Sequence, residues 1–228
     1  SLLARLFPEA KFIIHLRDPR AVICSSEFAE PDPKKRPTVL SFARHIRKYY
    51  AFTEYFKTLP ILKNRLLVTY YEHFIEKTEV ETKKVLDFLN LDYEPQMTDV
   101  SLFRKASGEK WPSSDEIYKS SVNIWEKQMP SEMAELVEFI CSPDMHIHNY
   151  FPKYYYENKG LSTKAYNYAL NNFNNCLGWR TDFDEFSKNI GCEFNRKRLL
   201  ELKYLTKKQI EENFLFLEYF NKYKKMKL

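Results

Sequence analysis

The chain has 228 residues, of which 44% are hydrophobic and 16% aromatic, so it is long and apolar enough to bury one sizeable core. Its net charge is a modest +5 with the basic residues spread along the sequence, which is compatible with an anionic ligand or acidic glycan and gives no specific indication of nucleic acid. No apolar run approaches the length of a transmembrane span, no signal peptide is visible, and the four cysteines show no metal-site spacing.

The most informative segment lies near the start of the chain. An apolar run, Phe12–Leu16, predicts a short buried strand. It is followed by Arg17, by Asp18 as a helix N-cap, and by Pro19 at the first helical position, where its missing N–H costs nothing. A strand therefore enters a helix through a turn that carries two arginines, the second being Arg20.

This turn is a predicted anion site. The N–H groups at a helix N-terminus lack partners, and the helix dipole favours negative charge there. Ser25 lies about two turns into the helix and adds a hydroxyl on the flank of the site. The alternative is an ordinary capped helix start, with the arginines solvated or paired to a nearby carboxylate.

The sequence Arg17-Asp18-Pro19-Arg20-Ala21-Val22 with Ser25 resembles the 3′-phosphate-binding motif of sulfotransferases that use 3′-phosphoadenosine 5′-phosphosulfate (PAPS). The resemblance is to the carbohydrate and bacterial members of that family. It implies that Arg17 and Ser25 hold the 3′-phosphate of the cofactor. A planar guanidinium suits this task because it binds phosphate oxygens bidentately, and a hydroxyl adds one bond.

A second segment continues the pattern. Residues 65–74 predict a strand ending in a Tyr-Glu pair, and residues 78–91 predict a helix, with Thr78 and Glu81 forming a capping box. The segment is similar to the family's strand, "Tyr-Glu-Asp-Leu" end and helix closing in "Phe-Leu-Gly-Leu", although Asn90 replaces the glycine. The resemblance makes Tyr71 a candidate for stacking on the adenine; the alternative is a core tyrosine.

Later segments carry weaker resemblance. Residues 120–150 are similar to the terminal helices of carbohydrate and bacterial sulfotransferases, where Trp125 is predicted to pack in the core. Residues 104–111 loosely resemble a basic cofactor lid, with Ala106 in place of a glycine. The break at residues 31–37 is either a solvated turn or a cationic loop that recognises the acceptor.

The family's 5′-phosphosulfate loop, which is related to the P-loop, has no counterpart before Arg17. Sixteen residues precede Arg17 and none is glycine. We therefore expect the chain to be the C-terminal portion of a longer protein or a truncated homologue, whose catalytic base lies upstream. His15, inside the predicted buried strand, is not assigned as that base.

The predicted fold class is α/β: a three-layer parallel sheet flanked by helices, P-loop-like, with its N-terminal part missing. The predicted domains are an incomplete sulfotransferase domain at 1–152 and a mainly helical extension at 153–228. Residues 195–225 repeat apolar side chains at helical spacing, which predicts helices that either pack on the domain or bind a protein partner.

The predicted function is transfer of a sulfuryl group from PAPS to a hydroxyl or amine, with no metal and no activity of this chain without the upstream segment. Glycan, lipid, small-molecule and peptide acceptors all remain open, and the Arg-Asp-Pro-Arg-Ala-Val motif slightly favours a carbohydrate. Two alternatives remain: a non-catalytic, degenerate homologue that acts in protein interaction, and a nucleotide kinase of related topology, which the Arg–Ser spacing disfavours. Buried Cys24 favours free thiols and a cytoplasmic location; the alternative is the Golgi lumen, if an N-terminal anchor has been lost.

Overall fold

The structure is a computed structural model that describes residues 2–29, 38–99, 115–173 and 182–226. Its strands are β1 (Phe12–Leu16) and β2 (Leu66–Tyr70). Its helices are α1 (Leu2–Leu6), α2 (Pro19–Ala29), α3 (Val39–Thr58), α4 (Tyr71–Glu76), α5 (Thr78–Leu89), α6 (Asp115–Val122), α7 (Trp125–Gln128), α8 (Ser131–Cys141), α9 (Asp144–Ile147), α10 (Thr163–Asn171), α11 (Phe183–Glu201), α12 (Lys207–Phe214) and α13 (Leu217–Met226). The predicted α/β class is confirmed for this part of the chain, which is mostly helical. A three-layer sheet stays a prediction.

The chain divides into two compact units. Unit 1 consists of Ser1–Arg17 and Phe56–Lys127, and unit 2 consists of Asp18–Tyr55 and Gln128–Leu228. The predicted domain boundary at residue 152 was placed where the family likeness ends, not from packing, and it stays a prediction.

Unit 1 is built around the pair of strands. β1 and β2 run parallel, in a register that extends from Phe12 opposite Leu66 to Leu16 opposite Tyr70. Side chains alternate across a strand, and in β1 Ile14 and Leu16 are buried whereas Ile13 and His15 are exposed. The position of the strand is confirmed, but the expectation that His15 is buried in it is wrong, because His15 belongs to the open face.

Arg65, the residue before β2, binds backbone oxygens in the segment before β1. Its guanidinium donates hydrogen bonds to the backbone oxygens of Ala10 at 2.9 Å, Phe7 at 2.5 Å and Ala4 at 3.2 Å. One side chain thus ties the segment before β1 to the residue before β2.

Helix α5 starts differently from the prediction and ends as the family likeness implies. Lys77 stands at its N-cap, and the Thr78 hydroxyl donates to the backbone oxygen of Phe74 at 2.7 Å, so the Thr78–Glu81 capping box is wrong. The reason is that α4 ends two residues before Thr78, so the Thr78 hydroxyl donates to a backbone carbonyl of α4 instead of capping α5. At the other end Asn90 has φ 61°, the left-handed conformation that a glycine adopts without strain.

The core of unit 2 includes α8, whose buried side chains fall on nearly all its positions: Met133, Ala134, Leu136, Val137, Glu138, Phe139, Ile140 and Cys141. α11 brings Arg196 to this core, where it donates to the backbone oxygens of Ile140 at 2.6 Å and Ser142 at 3.2 Å. Glu193 accepts hydrogen bonds from Arg44, Arg47 and Arg196 at 2.9–3.0 Å. A buried ion network therefore joins α3, α8 and α11.

The predicted helical tail is divided into α11, α12 and α13. Thr206 and Gln209 form a capping box that starts α12 after the break. Leu199, Leu200, Ile210, Phe214, Phe220 and Tyr223 form one buried cluster. Tyr219 bonds to Asp144 and Lys222 to Glu54, so the tail packs on unit 2 through its polar groups as well.

No helix that the structure describes is long and apolar enough to cross a membrane. Among the same residues Cys141 is buried and Cys192 is exposed, and Cys24 is buried as predicted. Burial raises the pKa of the Cys141 thiol, which disfavours its thiolate.

Candidate functional site

The candidate site lies where the two parallel strands end. Arg17 follows β1, and Tyr71 follows β2 as the first residue of α4. The last paired residues are Leu16 and Tyr70, so the two side chains leave the sheet at the same edge. Ligands of open α/β sheets bind at the carboxyl ends of the strands, and this edge is such a place.

Arg17 is held by an aromatic ring and a backbone oxygen. Its guanidinium carbon lies 4.1 Å from the centroid of the Tyr71 ring, which is a cation–π contact. Its Nη2 donates to the backbone oxygen of Ser121 at 2.8 Å. The Tyr71 hydroxyl lies 2.7 Å from the Ser121 Oγ. Arg17 remains only half-buried, so a preorganised guanidinium reaches the surface of unit 1.

Ser121 is a member of this arrangement that sequence reasoning missed. It belongs to α6 and lies 104 residues after Arg17. Nothing in a serine at the end of a short helix distinguishes it from other serines, so the sequence held no usable signal. Its carbonyl and its hydroxyl together fix the two predicted site residues of unit 1.

Arg20, the second arginine of the turn, has a different role. It is 5% exposed and belongs to unit 2, where it pairs with Asp18 at 2.5 Å and with Glu138 at 2.6 Å. Burial alone would lower its pKa, but both carboxylates favour the charged form and the pKa is raised. For Arg20 the alternative of carboxylate pairing is therefore correct. Asp18 also accepts from the Arg20 backbone N–H at 2.8 Å, which confirms it as the cap.

Glu138 explains why Arg20 is buried. Its carboxylate is fully buried and also accepts the backbone N–H groups of Lys153, Tyr154 and Tyr155 at 2.7–2.9 Å. A carboxylate with this many donors is satisfied as an anion, and Arg20 balances its charge. This cluster is structural.

Ser25 is exposed on α2, in unit 2. Its role in phosphate binding stays a prediction from its spacing to Arg17. The loop at 104–111 and the break at 31–37 lie outside the described residues, as does Cys176. Trp125 is 3% exposed, so its predicted place in the core is confirmed.

His15 is a second residue that sequence reasoning set aside. Its Nδ1 lies 2.8 Å from Thr69 Oγ1, and its ring makes edge contacts with Phe74 and Tyr71, at centroid distances of 5.5 Å and 6.2 Å. Partial burial lowers its pKa and the charge of Arg17 lowers it further, against an opposing effect of Glu72. A signal was present: residues two apart on a strand share a face, which places His15 beside Arg17.

Among the described residues, no group of three or more His, Cys, Asp and Glu side chains is placed to hold a metal ion. The chemistry that this edge offers is the binding of an anion by a half-buried guanidinium beside an aromatic ring. Both features suit a nucleotide phosphate.

Comparison with known proteins agrees with this assessment. Residues 1–95 match the family model described as "Sulfotransferase family", a range that includes Arg17, Ser25 and Tyr71. No curated protein and no solved structure matches the chain. The likeness of residues 120–150 to terminal sulfotransferase helices stays a prediction. The predicted family is confirmed over the matched range: the match of residues 1–95 supports a sulfotransferase family domain.

Proposed function

We propose that this chain acts in PAPS-dependent sulfuryl transfer to a hydroxyl or amine, with a carbohydrate as the leading acceptor class. The observation that carries the proposal is Arg17, the arginine of the family motif, held half-buried at the carboxyl edge of two parallel strands within the matched range. Sulfuryl transfer in general follows from the family; the donor and the acceptor class belong to the proposal.

In this proposal Arg17 binds the 3′-phosphate. The cation–π contact with Tyr71 and the bond to Ser121 limit the rotamers of a long side chain before the ligand arrives. Preorganisation of this kind reduces the entropy lost on binding. A guanidinium also matches the geometry of a phosphate better than an ammonium does.

Ser25 and Tyr71 complete the proposed nucleotide site. Ser25 enters on its spacing of eight residues from Arg17, and its hydroxyl adds one bond to the same phosphate. Tyr71 contacts Arg17 with one face, so the adenine would stack on the opposite face. Aromatic faces bind bases in this way with little dependence on sequence or edge contacts.

The fold is part of the same proposal. β1 and β2 would belong to a three-layer, P-loop-like parallel sheet, the sulfotransferase domain would extend to residue 152, and residues 153–228 would form its helical extension. The parallel pairing and the helices that follow each strand support this arrangement.

In the reaction, a bond forms between the acceptor oxygen or nitrogen and sulfur while the bond from sulfur to the leaving phosphate oxygen breaks, and the predicted upstream base takes the acceptor proton. PAPS supplies the sulfuryl group when bound. Arg17, Ser25 and Tyr71 act at the far end of the nucleotide, so they position it rather than take part in bond breaking. Their loss should weaken nucleotide binding more than it slows transfer.

The test is calorimetric titration of the chain with adenosine 3′,5′-bisphosphate (PAP) and with adenosine 5′-monophosphate (AMP). We expect PAP to bind more tightly, and Arg17→Ala to weaken PAP about 10- to 100-fold, as expected for the loss of charge-assisted hydrogen bonds, with little effect on AMP. Arg5→Ala is the matched control, because Arg5 is an exposed arginine of α1 in the same unit. Equal affinities for PAP and AMP would contradict the proposal.

A second measurement separates the enzyme from the degenerate homologue. Transfer from PAPS to a panel of carbohydrate, phenol and amine acceptors is measured once PAP binding is established. Transfer supports the enzyme. Because the catalytic base and the 5′-phosphosulfate loop are predicted to lie upstream, the non-catalytic alternative is tested on a chain that includes that upstream segment. Arg17-dependent PAP binding by that longer chain, without transfer to any acceptor, would favour the non-catalytic alternative.

A further inference from the structure

His15 lies beside Arg17 on the open face of β1. The neighbouring side chains Ile14 and Leu16 are buried, whereas His15 is exposed. On the paired strand Thr69 lies directly opposite His15. The ring therefore reaches solvent at the sheet edge where Arg17 and Tyr71 meet.

The hydrogen bond to Thr69 occupies one of the two ring nitrogens. His15 Nδ1 lies 2.8 Å from Thr69 Oγ1, a hydroxyl that can donate or accept. In the protonated ring both nitrogens are donors, so Nδ1 can donate to Thr69 while Nε2–H donates to a ligand.

The charges that face the ring come from two neighbouring elements. Arg17, at the end of β1, disfavours the charged ring, and Glu72 of α4 favours it; Tyr71 and Phe74 of α4 contribute uncharged edges. Together with partial burial, which has the largest effect, these charges lower the pKa of His15. The neutral ring is therefore favoured when no ligand is bound.

A phosphate on Arg17 changes this balance. It carries up to two negative charges, and an opposite charge within about 4–6 Å favours the protonated form of a histidine. The ligand thereby outweighs the effect of Arg17 on the ring. His15 would then present a ring N–H and Arg17 its guanidinium N–H groups at the same edge of the sheet.

We propose that His15 is a second contact for a phosphomonoester held by Arg17, and that its ring takes up a proton when that phosphate binds. This inference rests on the proposed function, because it places the 3′-phosphate at Arg17. It adds His15 as a phosphate contact, and the uptake of one proton on binding, to the proposed 3′-phosphate site.

The sign of the pH dependence follows from linkage. The pKa of His15 is higher in the complex than in the free chain, so binding takes up protons between these two values. Affinity for the nucleotide then rises as the pH falls from 8 toward neutrality. At lower pH the phosphate itself becomes protonated, with a pKa near about 6, and this weakens its attraction to Arg17.

The experiment is calorimetric titration with PAP at pH 7 in three buffers of different ionisation enthalpy. The slope of the observed enthalpy against the ionisation enthalpy of the buffer gives the number of protons taken up. We expect an uptake of a substantial fraction of one proton for the unmodified chain with PAP and a smaller uptake with AMP, which lacks the 3′-phosphate.

His15→Asn removes the titratable ring and keeps an amide donor near the Nδ1 position, so the bond to Thr69 can persist. We expect the PAP-linked uptake to fall and the affinity for PAP to drop about tenfold at pH 7. His73→Gln is the matched control, because His73 is an exposed histidine of α4 and its loss should leave the uptake unchanged. His15→Gln, with its amide nearer the Nε2 position, provides a second variant should the asparagine variant fail to fold.

The outcomes separate the two proposals. If the unmodified chain does not prefer PAP to AMP, the proposed function fails and this inference fails with it. If PAP binds in an Arg17-dependent manner but the uptake is the same with and without His15, only this inference is overturned. Loss of uptake in the His15 variants, with retention in His73→Gln, supports it.

Discussion

The sheet edge of unit 1 and the buried cluster of Arg20, Asp18 and Glu138 in unit 2 use the same kind of cation for opposite purposes. At the edge, Arg17 is half-buried and is held by a ring and a carbonyl. In unit 2, Arg20 is paired with two carboxylates and is 5% exposed. The two arginines are three positions apart in one motif. Their partners, rather than their place in the motif, determine which one is suited to a ligand.

The largest expected effect is the loss of stability on replacing Arg20 with alanine, which should exceed the loss on replacing Arg17. Arg20→Ala leaves Asp18 and Glu138 buried without their cation, and we expect a loss of about 3–5 kcal/mol in the free energy of unfolding. Arg17→Ala should cost no more than about 1–2 kcal/mol, because it removes a cation–π contact and a hydrogen bond at a half-exposed site. Urea denaturation of both variants measures the difference. Equal losses in the free energy of unfolding would contradict the difference proposed between Arg20 and Arg17.

A comparably large effect should appear on acidification. Burial by itself raises the pKa of Glu193, but Arg47, Arg196 and Arg44 together lower it to about 2, below its ordinary value of 4.5. The stability that follows from this difference, on the order of 3 kcal/mol, is present above pH 4.5 and is lost as the pH falls toward 2.

Unfolding by urea at pH 7, 4.5 and 3 tests this prediction. Glu193→Gln should be less stable at pH 7 and should lose less stability on acidification than the unmodified chain. Glu185→Gln, which changes an exposed glutamate of the same helix, should keep the original pH profile. A Glu193 variant with an unchanged acid profile would refute the assignment.

A smaller effect is expected at Tyr71. Tyr71→Leu removes the ring that positions Arg17, and we expect PAP affinity to fall by about tenfold, in line with cation–π contacts of about 1 kcal/mol or more. Tyr71→Phe keeps the ring and loses the bond to Ser121, so the fall should be only a few-fold. Tyr93→Phe, elsewhere in unit 1, is the control. If leucine and phenylalanine behave alike, the ring does not position Arg17.

The smallest expected effect provides a baseline for the stability of unit 1. Asn90 ends α5 at φ 61°, and Asn90→Ala should cost about 1 kcal/mol because a Cβ-bearing residue without a local polar group is strained there. Asn90→Gly should change the free energy of unfolding by only a few tenths of a kcal/mol. Thermal unfolding of the two variants measures this difference. An alanine variant as stable as the glycine variant would show that the backbone at position 90 relaxes and relieves the strain.

Local features of the chain were predictable and distant ones were not. β1, the Asp18 cap and the end of α5 depend on residues within a few positions, and the sequence contains all of them. The partner of Arg20 is Glu138, 118 residues away, so its identity required the fold. The start of α5 was mispredicted because the Thr78 hydroxyl serves the preceding helix.

The candidate site shows the same limit. Arg17 and Tyr71 were predicted from a family motif, but their mutual contact depends on the parallel register of β1 and β2. The exposure of His15 could not be deduced from an apolar strand, because alternation gives two faces and does not say which one is covered. Ser121 carries no local signature.

Ser121 has a consequence for how binding could be observed. It belongs to α6, yet its carbonyl and hydroxyl are bonded to Arg17 and Tyr71. A ligand that fixes those two side chains therefore also opposes local opening of α6, and the backbone amides of that helix should exchange with deuterium more slowly when PAP is bound. The helix thus serves as a natural reporter of occupancy at a site to which it contributes Ser121.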